Sequence, residues 1–168
     1  MNDNLVQSVL SKMIVYFGKD ILRINHALKV YTLARNIAVF EDLSDQQFKI
    51  LEISSILHDI GIKECEIKYG SSSGNYQELE GPPVALKLLE EFYLRSDVIE
   101  RISFLIGNHH SYDKINGIDF QILVEADFLV NIFEDNYTVD QIASVKNKYF
   151  KTKTGIKYLT NIYEKHDL

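Results

Sequence analysis

Apolar residues recur at helical rather than strand spacing almost throughout the chain, which predicts an all-α protein. Ala27, Val30, Tyr31, Ala34, Ile37 and Ala38 form the stripe of a helix packed on a core, placed at about Asp20 to Phe40. The next helix opens at Ser44 with Gln47 three residues later, a capping box in which each side chain satisfies an otherwise orphaned backbone N–H. It is expected to run to about Asp59-Ile60, with Gly61 as its stop. From Ile62 to Gly81 the pattern dissolves around Tyr69-Gly-Ser-Ser-Ser-Gly-Asn75, which reads as a flexible loop and the one long candidate lid. Pro82 and Pro83 suit the first turn of the following helix, whose apolar face is Ala85, Leu88, Leu89 and Phe92. Asp97 with Glu100 is read as the cap of a helix carrying Ile99, Ile102, Ile106 and His109, and Asp119 as the cap of one carrying Leu123, Ala126, Asp127, Val130 and Phe133. Thr138 with Gln141, and Thr154-Gly155 before Ile156, Leu159 and Tyr163, predict two terminal helices. With no repeats and no linker, one helical domain over residues 1–168, a bundle of about 6–8 helices, is the economical account.

Composition narrows the chemistry. The chain has 168 residues, of which 46% are hydrophobic and 25% charged, enough for one domain with a sizeable core. Eighteen basic against 24 acidic residues give a net charge of −6, which argues against a long nucleic acid as partner but leaves room for a local basic pocket. The single cysteine, Cys65, has no partner for a disulfide or a thiolate zinc site, so any metal must lean on histidine and carboxylate. Met1-Asn2-Asp3-Asn4 lacks the positive region of a secretory signal, and no run approaches the roughly 18 apolar residues of a membrane span. A cytoplasmic protein with no membrane partner is the expectation.

Against that background, polar residues on apolar stripes stand out. His58 and Asp59 adjoin at a helix end, His26 lies beside Val30 and Leu33, His109 beside Ile102 and Ile106, and Asp127 beside Leu123 and Val130. Burying several ionisable groups in one core is costly unless they are paired or bound to a cation, and a shared metal would resolve the cost. Imidazole and carboxylate together suit divalent Mn, Fe, Co, Ni, Zn or Mg, and a set without sulfur is typical of hydrolytic sites. An ion held in this way lowers the pKa of a water and polarises a phosphoryl oxygen.

The order His26, His58-Asp59, Asp127 on helices resembles the HD-domain superfamily of metal-dependent phosphohydrolases, over roughly Ile21 to Phe133, with the C-terminal helices 138–166 beyond it. The resemblance implies the family's helical fold and His26, His58, Asp59 and Asp127 as metal ligands; on that basis Asp59 is expected to assist the attacking water as well. His109-His110 match the position where family members with two or three metals carry additional histidines, for a second ion or a phosphate. Gln77 stands four residues before Gly81, where those members place a histidine, and a neutral amide is a poor ligand for a transition ion. One tightly bound ion with an optional weak second is therefore expected. His109-His110 lead into Ser111-Tyr112 rather than the Gly-Tyr-Pro of the cyclic-dinucleotide phosphodiesterases, and the patterns of alarmone and deoxynucleoside triphosphate hydrolases are absent as well. What remains is similar to a small stand-alone phosphohydrolase acting on a phosphomonoester or nucleotide.

Arg23, three residues before His26 on one helix face, is a candidate phosphate clamp and catalytic residue. Lys63 is a second candidate, one residue beyond the position where many relatives carry a lysine, which Ile62 occupies here. Tyr112, with Tyr69 and Tyr76, offers a ring to a base or sugar, residues 70–75 offer backbone N–H groups to a phosphate, and Glu78 and Glu80 are candidate bases. His166 reads as a solvated side chain. Two rival readings stand beside hydrolysis: a metal-stabilised ligand-binding or regulatory domain without turnover, and a di-iron oxygenase drawing on His109-His110. The oligomeric state stays open, a homodimer included.

Overall fold

Two helices are buried nearly all the way round, and such helices must be enclosed by others. They are α3 (Asp45–Leu57), buried from Ile50 through Leu57, and α7 (Ile118–Glu134), buried from Ile122 through Val130. The computed structural model, which describes residues 4–164, arranges the remaining helices around this pair. α2 (Ile21–Val39) packs along both, burying Ala27, Val30, Ala34 and Ile37, while α1 (Leu5–Phe17) covers α2 and α3. α4 (Ile62–Tyr69) packs on α5 (Gly74–Leu89), and α6 (Ser96–Ile106) bridges α5 to α3. α8 (Val139–Tyr149) and α9 (Lys153–Tyr163) close over α7. The described residues thus form nine α-helices and no strand, the all-α architecture that the periodicity predicts. None of these helices is long and apolar enough to cross a membrane.

Local chemistry explains several boundaries. Ser44 with Gln47 and Thr138 with Gln141 make complete capping boxes, and the Asp20 and Thr152 side chains accept from Arg23 N and Gly155 N. The terminal helix starts from Thr152 rather than Thr154.

Elsewhere the structure corrects the sequence reading. α1 and α4 were not foreseen. Residues 62–81 are not a loop: Gly70, left-handed at φ 62°, ends α4, and Ser73 precedes α5, so only a short bend separates two helices. The extended lid expected there does not exist. Pro82 and Pro83 lie inside α5 rather than at its start. Asp97 makes no cap and instead accepts from Arg95 and Gln46, while Asp119 pairs with Arg101. Gly61 is not a left-handed stop, since its φ of −73° is ordinary helix. A Cβ there would lie 2.6 Å from Gly81 N and 3.0 Å from the Gln77 carbonyl, so Gly61 is needed for close backbone approach to α5. His166 lies outside the described residues.

Candidate metal centre

Among the described residues five carboxylates are buried, and most have ordinary partners. Glu52 accepts from Arg35 and Tyr31, Asp119 is held by Arg101, and Glu125 takes the backbone N–H groups of Lys151 and Thr152 and the Thr152 hydroxyl. Glu80 takes Lys68 and Tyr69. Asp127 differs, because the groups facing it are the rings of His26 and His58, at 3.2 and 3.6 Å.

The histidine tautomers make this arrangement informative. His58 Nδ1 lies 2.9 Å from the Ser55 carbonyl and His109 Nδ1 lies 2.8 Å from the Ile106 carbonyl, and a carbonyl only accepts. Both rings therefore carry a proton on Nδ1, and in the neutral ring Nε2 presents a lone pair. His26 Nδ1 is held in the same way at 2.7 Å by Glu134, whose other oxygen takes Lys29 at 2.6 Å. The inward Nε2 atoms of His26 and His58 stand 3.1 Å apart, and Asp59 Oδ2 lies 3.4 and 3.5 Å from them. On its other oxygen, Asp59 lies 3.4 Å from His109 Nε2, which is buried without a hydrogen bond.

Acceptors crowded on acceptors need a cation at their centre. Bonds of about 2.0–2.2 Å from one ion to nitrogen and oxygen place neighbouring ligand atoms about 3.0–3.6 Å apart, the spacing found here. His26, His58 and Asp59 could hold one ion, with Asp127 reaching it beside them, and Asp59, His109 and His110 form an adjoining group. The second contacts that fix each ring are those of a metal-binding histidine.

Protons compete with a metal ion for these same atoms. Burial alone would raise the Asp59 and Asp127 carboxyls, but the surrounding imidazoles hold both well below the usual range. For His26, burial is outweighed by the bond to Asp127 and the charges of Asp59 and Asp127, and its pKa rises to about 10. His109 is raised for a similar reason, its burial opposed by Asp59. His110 goes the other way: burial and the neighbouring His109 push it down to about 4, and its Nε2 faces Gln77 Oε1 at 3.3 Å. Gln77 is itself fixed through its amide nitrogen on the Ser72 carbonyl, which turns its oxygen toward His110. The His109-His110 turn is tied to α5 by Glu78, which accepts from His110 N and the Ser111 hydroxyl.

The structure thus brings His26, His58, Asp59, Asp127, His109 and His110 together. The other candidates have partners of their own. Arg23 is held by Asp20 at 2.6 Å and Glu66 at 2.5 Å, and Lys63 donates to the Tyr16 carbonyl on α1. Tyr69 and Tyr76 stack on each other at 4.1 Å. Tyr112 alone of the three lines a cleft of about 610 Å³, together with His110, Tyr149, Lys148 and Lys151. The sequence reading missed Glu134, although it follows Asp127 by seven residues on one face of α7, a visible signal. Lys148 and Lys151, which also line the cleft, look in the sequence like ordinary solvated lysines.

No family model and no curated protein matches the sequence. Among solved structures, the chain is similar to a crystal structure from an uncultured Thermotogales bacterium described as a predicted HD superfamily hydrolase. The two are 24% identical with a TM-score of 0.67, over 94% of this chain and 84% of that one. The likeness extends over nearly all of the chain and shows a shared helical fold, the one that the resemblance implies.

Proposed function

We propose that the protein is a metal-dependent phosphohydrolase acting on a small phosphomonoester or nucleotide. The observation that carries the proposal is the convergence of His26, His58 and Asp59, with Asp127 beside them, where the His58 and His109 tautomers leave lone pairs facing carboxylates. A divalent ion held by these four residues would lower the pKa of a bound water and polarise a phosphoryl oxygen. Asp59 faces both histidine groups through its two oxygens, which suits it to assist in orienting the attacking water. His109 and His110 offer a second ion, or the phosphoryl group itself, a further set of nitrogens. Arg23 and Lys63 are already engaged by Asp20, Glu66 and Tyr16, so the proposal assigns neither of them to the phosphate.

The test is phosphate release from a panel of phosphoesters with Mn, Co, Ni, Zn or Mg present, alongside Asp59→Ala. Loss of about a hundredfold or more in the variant is expected, and full activity in it overturns the mechanism. The reading without turnover draws on one observation, the amide of Gln77 occupying His110 where an imidazole would extend the metal site. It predicts stabilisation by a phosphoester with no product.

A further inference from the structure

The cleft beside the metal centre has a chemistry of its own. His110 belongs to both, because it joins the group formed with Asp59 and His109 and also borders the cleft. Tyr112 links them too: its ring packs at 5.1 Å between centres on Phe128, the residue after Asp127. Tyr112 packs on Tyr149 at 4.6 Å between ring centres, and Tyr149 stacks on Phe128 at 5.2 Å, so the floor of the cleft is a rigid aromatic ledge. Lys148 and Lys151 stand at its edge, exposed, and among the described residues neither ammonium has an ion-pair or hydrogen-bond partner. Asp113 is the single acidic residue of the lining.

The surrounding sequence sharpens the contrast. Residues 146–157 contain five lysines and no acidic residue, in a chain whose net charge is −6. The volume suits a whole small metabolite rather than a lone ion. A substrate whose scissile phosphoryl group sits against the metal-binding residues would extend past His110 over the tyrosine ledge and end at the two lysines.

We infer that this cleft selects substrates carrying a second phosphate remote from the scissile one, joined to it by a flat ring-bearing body, with Lys148 and Lys151 as the specificity-determining residues. The inference rests on the proposed phosphohydrolase reading and deepens it. The two ammonium groups would add attraction that a monophosphate does not use, so the effect falls on relative preference between substrates.

The experiment compares adenosine 3′,5′-bisphosphate with adenosine 5′-monophosphate as a matched pair of probes. In the wild type, kcat/KM for phosphate release is expected to favour the bisphosphate, and Lys148→Ala and Lys151→Ala are each expected to lower that preference at least fivefold, mainly through KM. Lys157→Ala removes the same charge from α9 outside the cleft and serves as the comparison. Equal use of both probes by the wild type, or a preference unchanged in the cleft variants, overturns the inference while leaving hydrolysis intact. Release from neither probe counts against the hydrolytic reading instead. In that case calorimetric titration of the bisphosphate decides: weaker binding by K148A and K151A than by K157A sustains the cleft, and equal binding or none overturns it.

Discussion

His26 Nδ1 and Glu134 Oε2 meet at 2.7 Å across 108 residues of sequence, joining α2 to the last turn of α7. Because Lys29 holds the other oxygen of the same carboxylate, the ring of His26 is oriented by a group that is itself oriented. Outer contacts of this kind set the basicity and aim of a metal-binding imidazole. Glu134→Gln and Glu134→Ala should each weaken divalent metal binding by about 10–100-fold, with the alanine variant worse. Competition against a chromophoric chelator measures this directly, and unchanged affinity in both variants would show that Glu134 only anchors Lys29.

The crowding of acceptors around Asp59 gives a second expectation. A saturating divalent ion should stabilise the fold, by roughly 5–10 °C in thermal midpoint at a hundredfold excess over Kd. Chelation should reverse the shift, and Asp127→Ala should abolish most of it. Scanning calorimetry with and without EDTA reads both; a wild type indifferent to every ion tried would leave the cluster without its central charge.

Gly61 offers a prediction about packing rather than chemistry. An alanine methyl there meets backbone of α5 at 2.6 Å, so the chain must shift just after His58 and Asp59. Gly61→Ala should cost about 1–3 kcal/mol and lower metal affinity along with it. Gly70→Ala is the control: its φ of 62° makes alanine strained, but the space around it is open and distant in sequence from the ligands. It should lower the thermal midpoint alone.

Glu125 sets a pH dependence. Burial raises its pKa despite the bonds from Lys151, Thr152 and Gln121. A carboxyl whose native pKa is raised contributes stability at pH below its unfolded value, and that contribution is lost as pH rises through the native value. The advantage of wild type over Glu125→Gln should therefore be greatest on the acid side and narrow as pH increases. Melting curves from about pH 4 to pH 7 check the sign, since the unfolded carboxyl titrates near 4.3; a gap that widens with pH would mean that the donors outweigh burial.

Much of this was legible in the sequence, for identifiable reasons. Helices α2, α3 and α8 announce themselves through caps and stripes that act over a single turn, and those signals are local. The candidate cluster was legible because His26, His58 and Asp127 interrupt apolar faces, and a buried ionisable group always demands an explanation. Residues 62–81 misled for an equally physical reason: the Gly, Ser and Asn residues that end one helix and begin the next look like a loop when they stand four apart. Pro82 and Pro83 misled because α5 already existed before them. The cleft was beyond reach, since Lys148 and Lys151 come to line it beside His110 only through the tertiary fold.

Lys148 and Lys151, within a run of five lysines and no acid at residues 146–157 of a chain with net charge −6, make the mouth of the cleft a local positive pole. An anion approaching from solution is turned toward that pole before it touches anything, and the pull is screened within about 8 Å at physiological ionic strength. Encounter with an anionic metabolite should accordingly slow as salt is added, even for a molecule whose overall charge would repel it.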